Sequence, residues 1–60
     1  MKRYVILINR DNEISDIRTH EFNPSMKDKY RKHDGLVYIN AHTILEALKK
    51  YTDLTGNVIK

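Results

Sequence analysis

Two short segments of this chain, Tyr4–Ile8 and Leu36–Ile39, are apolar at every position. Both are rich in β-branched and aromatic residues, and a strand with such a continuous apolar run is buried on both faces. Between them, Asn9–Glu13 has the composition of a turn, and Ile14–Phe22 has the mixed composition of a more exposed strand. These segments predict a three-stranded, mainly antiparallel sheet that contains an N-terminal hairpin.

The second of these strands has an irregular pattern. Its apolar residues Ile14, Ile17 and Phe22 do not recur at every other position. A regular strand with one buried face requires that period of two. The sequence therefore predicts a β-bulge or an early end in this strand.

The segment that follows contains a chain breaker at Pro24. Asn23 is a suitable N-cap, and proline fits the first position of a helix. Met26 and Tyr30 would then lie four residues apart on one helical face. A short second helix is the structure that this pattern predicts.

The strongest pattern in the chain predicts an amphipathic helix around Ala41 to Leu54. Asn40 is one candidate for its N-cap, and the alternative is a capping box formed by Thr43 and Glu46. Gly56 is a natural stop. The apolar residues with helical spacing are Ala41, Ile44, Leu45, Leu48 and Tyr51, with Leu54 near the same stripe.

These elements together predict a single α+β domain over residues 1–60, with the helix packed on one face of the sheet. The pattern does not say which face of the strands meets the helix. The expected core residues are Ile6, Ile8, Leu36, Tyr38, Ile44, Leu45 and Leu48.

One helix covers only one face of a small sheet, so the other face must meet something else. The candidates are the short segment at Pro24, the Val58-Ile59 tail, or a second copy of the chain. Large apolar patches are uncommon on monomers, and symmetric dimers are the commonest assembly. We therefore expect a homodimer.

Length and composition exclude several classes of protein. A chain of 60 residues buries only about 60% of the surface that its unfolded form exposes, and with no cysteine it has no disulfide or cysteine-bound zinc to stabilise it. No apolar run approaches the roughly 20 residues that span a bilayer. The apolar run after Lys2 and Arg3 is also too short for a signal peptide. We expect a cytoplasmic protein that is not inserted in a membrane.

The sequence contains no catalytic motif that we recognise. Its two glycines cannot form a glycine-rich phosphate loop, and it has no cysteine nucleophile. His42 and Glu46 share a helical face, yet a structural zinc requires about four ligands. We therefore expect no enzymatic activity, no catalytic residues, no metal site and no cofactor.

The formal charge of +3 is concentrated in one segment. Residues 27–33 contain four basic and one acidic side chain, whereas the rest of the chain contains seven of each. A tyrosine among cations is a composition that stacks on single-stranded bases, and it also occurs on solvated and protein-binding surfaces. The predicted partner-binding residues are Lys27, Lys29, Tyr30, Arg31 and Lys32.

The leading hypothesis is a small non-enzymatic interaction module that binds and modulates another protein, such as the accessory regulators that phages encode. It depends on the small size and on the lack of catalytic signals. The alternative is a small nucleic-acid-binding protein that uses the basic segment Lys27–Lys32.

Overall fold

In a computed structural model that describes residues 1–59, the chain folds as a four-stranded antiparallel sheet with one C-terminal α-helix. The order of the strands across the sheet is β2-β1-β4-β3. The prediction of an α+β fold with a mainly antiparallel sheet is confirmed, but the sheet has four strands instead of three. The elements are β1 (Lys2–Ile8), β2 (Ile14–His20), β3 (Lys29–Arg31), a 3₁₀ turn (Lys32–Asp34), β4 (Leu36–Ala41) and α1 (Ile44–Thr55).

The hairpin of β1 and β2 contains the predicted bulge. Leu7 pairs with Asp16, but the next residue of β1, Ile8, pairs with Ile14. Ser15 is therefore the extra residue, and its hydroxyl donates a hydrogen bond of 3.2 Å to the carbonyl of Leu7. The bulge explains why the apolar residues of β2 do not keep a period of two.

The turn between β1 and β2 is held by the side chain of Asn9. Its Oδ1 accepts hydrogen bonds of 3.0 Å from the backbone N–H groups of Asp11 and Glu13. Asn12 has a φ of 60°, a left-handed conformation that asparagine tolerates better than most residues. The predicted turn thus follows from local side-chain chemistry.

The prediction of a short helix that begins at Pro24 is wrong. The backbone N–H of Met26 bonds to the carbonyl of Asn23 at 3.0 Å, so the chain makes a turn there. It then continues as β3, which pairs with β4. A short isolated helix is costly to nucleate, whereas a strand of three residues gains hydrogen bonds along an existing edge.

Helix α1 uses the predicted capping box and not Asn40, which lies in β4. Thr43 is the N-cap, and its hydroxyl accepts the N–H of Glu46 at 3.2 Å. The carboxylate of Glu46 reaches the N–H of His42, at 3.3 Å, one residue earlier than the predicted bond to Thr43. The helix ends at Thr55, and Gly56, the predicted stop, is its C-cap. None of the helices in residues 1–59 is long and apolar enough to cross a membrane.

The hydrophobic core lies between α1 and one face of the sheet. Within residues 1–59, the half-buried residues packed against it are Ile8, Ile14, Ile17 and Tyr30. Its buried members are Tyr4, Ile6, Val37, Ile39, Ala41, Ala47 and Tyr51. Ile6 and Ile8 were correctly predicted to lie on this side.

The prediction of which α1 residues lie in the core is wrong in part. Ile44 and Leu45 are 47% and 76% exposed, and Leu48 is half-buried. The helix packs mainly over β4 through the buried Ala47 and Tyr51. Leu45 lies on roughly the opposite side of the helix from Ala47, because each residue turns by about 100°. Ile44 is the first residue of α1 and lies three residues after Ala41, the end of β4.

Leu36 and Tyr38 were also predicted to lie in this core, and they face the other side of the sheet. The register pairs Ile6 with Val37 and Tyr4 with Ile39, so Val37 and Ile39 share the face that α1 covers. A shift by one residue would have exchanged the two faces of β4.

Candidate functional site

The face of the sheet opposite α1 is the most distinctive surface of the molecule, and we call it the open face. Strand residues alternate between faces and cross-strand partners share one, so the pairing assigns its members. Of the described chain, the loop of residues 21–28 crosses one end of this face. The open face comprises Arg3, Val5, Leu7, Asp16, Arg18, His20, Lys29, Arg31, Leu36, Tyr38 and Asn40.

The centre of the open face is apolar. Val5 on β1 is only 9% exposed, while Leu7, Leu36 and Tyr38 are half-buried. These four side chains lie on the two central strands, β1 and β4. They leave apolar surface accessible at the middle of a sheet face, where a globular domain often places a second layer.

Cations surround this apolar centre. The open face has four basic side chains and one acidic one, so its formal charge is four minus one, or +3, which equals the charge of the whole chain. The acidic residue, Asp16, pairs with Arg18 at 3.1 Å. Arg31 pairs with Asp34 at 2.8 Å. Within residues 1–59, Lys29 has no ion-pair partner. The exposed cations Arg18, Lys29 and Arg31 thus form a rim around the apolar centre, and this rim attracts anions.

Arg3 is buried at one end of the open face, with 6% of its surface exposed. Its guanidinium donates to Oδ1 of Asn40 at 3.1 Å and, from both terminal nitrogens, to the carbonyl of Lys27 at 3.4 Å. It also lies 5.0 Å from the centre of the Tyr38 ring, a cation–π distance. No carboxylate of residues 1–59 pairs with it.

Asn40 attaches the loop of residues 21–28 to the sheet. Its side-chain nitrogen donates to the carbonyl of Met26 at 2.8 Å, and its backbone N–H bonds to the carboxylate of Asp28 at 2.9 Å. Its carbonyl accepts from Nζ of Lys50 at 2.7 Å. The segment at Pro24, one of the three predicted covers of this face, therefore reaches one end of it. The Val58-Ile59 tail lies near the turn of the hairpin instead.

The predicted partner-binding residues are distributed over different surfaces. Lys29 and Arg31 belong to the open face, but Tyr30 points to the other side and packs against the core. Lys27 lies in the loop and Lys32 in the 3₁₀ turn, both exposed. The structure thus does not bring the ring of Tyr30 together with the cations beside it in the sequence.

Sequence reasoning missed Arg3, Arg18 and Tyr38 as members of one surface. The alternation of β1 and β4 was visible and would have placed Arg3 with Val5 and Leu7. The register between distant strands was not visible, and it is the register that joins Arg18 and Tyr38 to that group.

The three histidines lie apart from one another. His20 is on the open face, His33 in the 3₁₀ turn and His42 before α1. No group of three or more metal-ligating side chains of residues 1–59 could hold a metal ion. No protein-family model matches the chain, and neither a curated protein nor a solved structure shows significant similarity to it. The chemistry of the open face is therefore the basis for assigning a function.

Proposed function

We propose that this protein is a non-enzymatic interaction module whose open face binds an acidic segment of another protein and so modulates that protein. The observation that carries the proposal is the apolar centre of the open face surrounded by cations. Lys29 and Arg31, two of the partner-binding residues predicted from the sequence, belong to this surface. A cytoplasmic location and a role as a phage-type accessory regulator are parts of the same proposal.

The two properties of the open face have different roles in binding. The cationic rim attracts an acidic partner over roughly 10 Å at 0.1 M salt and raises the rate of encounter. The half-buried Leu7, Leu36 and Tyr38 provide the affinity after contact, because covering apolar surface contributes about 25 cal/mol per Å². A standard interface buries about 800 Å² on each partner, which is roughly a sixth of the 4565 Å² accessible surface of this molecule.

A protein partner fits the open face better than nucleic acid does. Single-stranded nucleic acid binds where successive bases stack on accessible aromatic rings within a basic groove. Among the strand residues of the open face, Tyr38 is the aromatic one, and the guanidinium of Arg3 already lies over its ring. The other central side chains, Val5, Leu7 and Leu36, are aliphatic. Nucleic acid remains the second candidate, because the cations at both edges of the sheet would also suit a phosphate backbone.

Selection from a random-peptide display library tests the proposal with the purified protein as bait. We expect the selected peptides to combine Asp or Glu with apolar residues and to bind less tightly as salt rises. Reversing Arg18, Lys29 and Arg31 to Glu should abolish most of this binding, since these exposed side chains form the rim. The matched control reverses the exposed Lys2, Arg10 and Lys49, which changes the net charge equally but lies outside the open face.

Two outcomes would contradict the proposal. Selected peptides without acidic residues would contradict the proposed attraction between the cationic rim and an acidic segment. Equal losses of peptide binding in both triple variants would show that only the net charge of the protein matters. A parallel titration with a labelled single-stranded oligonucleotide tests the second candidate. Tight oligonucleotide binding that the rim variant loses and the control keeps would assign the open face to nucleic acid instead.

A further inference from the structure

A groove lies at the end of the open face where the loop of residues 21–28 crosses the sheet. Its volume is about 640 Å³. The sheet forms its floor and the loop forms one wall. The side chains that matter for its chemistry are Arg3, Val5, His20, Phe22, Met26 and Tyr38.

The cation in this groove has no counterion within the described chain. Arg3 is buried, and its two terminal nitrogens bond to neutral oxygens of Asn40 and Lys27. Its Nε–H has no hydrogen-bond partner in residues 1–59 and is not fully buried. Glu21 also lines the groove, but its carboxylate does not pair with Arg3. A guanidinium in this state has a free donor for a carboxylate, its preferred partner.

The lining of the groove also includes large apolar side chains. Phe22 and Met26 are 38% and 47% exposed, although both are large hydrophobic residues. Tyr38 lies on the floor beside Arg3. The site therefore combines one buried cation with an apolar surface. A ligand that carries an apolar side chain next to its carboxylate could contact both.

We propose that this groove binds an Asp or Glu side chain of the partner's acidic segment, with Arg3 as its charge partner. An adjacent apolar side chain of the segment packs against Phe22, Met26 and Tyr38. This inference rests on the proposed function and adds what the partner must contain: an acidic residue next to an apolar one. The exposed cations Arg18, Lys29 and Arg31 attract the segment, and the groove sets its register.

The experiment is an NMR titration of the full chain with blocked tripeptides. The probe is leucine-glutamate-leucine, acetylated and amidated, and its control has glutamine in place of glutamate. We expect the glutamate peptide to shift the Nε–H resonance of Arg3 and the backbone amide resonances of Val5 and Met26. The glutamine peptide should bind at least about tenfold more weakly, because it cannot form the charge-assisted hydrogen bond. A third probe, acetyl-leucine with a free carboxylate, tests a chain terminus as the source of the anion.

Replacing Arg3 would also release the loop that it holds, so the informative variant is His20→Glu. His20 is exposed, lines the groove and pairs with Arg3 across β1 and β2. A glutamate there supplies a counterion within the chain and should weaken the glutamate peptide about tenfold while the fold is kept. The control is His42→Glu, an equal substitution at an exposed site outside the groove.

The outcomes separate this inference from the proposed function. Unchanged peptide affinity in His20→Glu, or an Arg3 Nε–H resonance that does not move, overturns the groove assignment. If display-selected peptides still lose binding in the Arg18, Lys29 and Arg31 variant, the open face remains the binding surface. Stronger binding of acetyl-leucine than of the glutamate peptide overturns the assignment to an acidic side chain.

Discussion

At the scale of single residues, the two glycines show how the same backbone conformation can have different costs. Both have positive φ angles, 64° at Gly35 and 78° at Gly56. A Cβ at Gly35 would lie 2.6 Å from the carbonyl oxygen of Ile8, whereas a Cβ at Gly56 would meet nothing within 4 Å. The close approach arises because the N–H of Ile8 bonds to the carbonyl of Gly35 at 2.8 Å.

Replacing each glycine by alanine tests this difference. Gly56→Ala should lower the free energy of unfolding by about 1–2 kcal/mol, the cost of a left-handed conformation for an L-residue. Gly35→Ala should lower it further, since the backbone of β1 must also move away from the new methyl group. Urea denaturation of the two variants measures both losses. Equal losses would show that the contact with Ile8 is relieved without cost.

At the scale of elements, α1 covers less of the sheet than its apolar residues suggest. Ala47 and Tyr51 are buried against β4, and Ile44, Leu45 and Leu54 remain exposed. Tyr51 is one of the largest fully buried side chains of the described chain, and its hydroxyl accepts from Nδ2 of Asn57 at 3.3 Å. The apolar stripe of a helix is thus wider here than the area that packs.

A matched pair of substitutions tests which isoleucines belong to the core. Ile39 is fully buried on β4, whereas Ile44 is about half exposed on α1. Ile39→Val should cost about 0.5–1.5 kcal/mol of stability, because the lost methyl group leaves a cavity. Ile44→Val should change stability by less than about 0.5 kcal/mol. Thermal denaturation compares the two, and a larger loss at Ile44 would contradict this placement of the helix.

At the scale of the whole molecule, the distribution of charge bears on self-association. The homodimer expected from the sequence stays a prediction. If two copies met through their open faces, each would bring a formal charge of +3 to the interface. Like charges repel at short range, and salt screens that repulsion. The same face therefore gives opposite salt dependences for a second copy and for an acidic partner.

Sedimentation equilibrium over a range of salt concentrations shows whether self-association strengthens or weakens as salt rises. We expect any association through the open face to weaken at low salt and strengthen at high salt, in contrast to peptide binding. A dimer that is tighter at low salt would contradict an open-face interface. It would place the contact elsewhere, for example on the exposed apolar residues of α1.

The sequence by itself determined the elements that depend on local chemistry. The turn at Asn9 and the stop of α1 at Gly56 follow from nearby side chains and backbone angles, and both were predicted. The bulge in β2 and the helix start at Thr43 were each one of two alternatives that the sequence left open, and the structure contains both. The α+β class followed from two apolar strand segments and one amphipathic helix, because such elements must bury their apolar surfaces against each other.

Only the tertiary structure decided which surfaces face each other. β3 exists because β4 offers an edge to Lys29–Arg31, and no local pattern in three residues reveals that edge. The strand register decided that Tyr30 points to the core while Lys29 and Arg31 join Arg3 and Arg18 on the open face. Strands alternate with a period of two, so a change of one residue in pairing exchanges the two faces. The candidate site depends on that pairing between distant segments, which no single segment encodes.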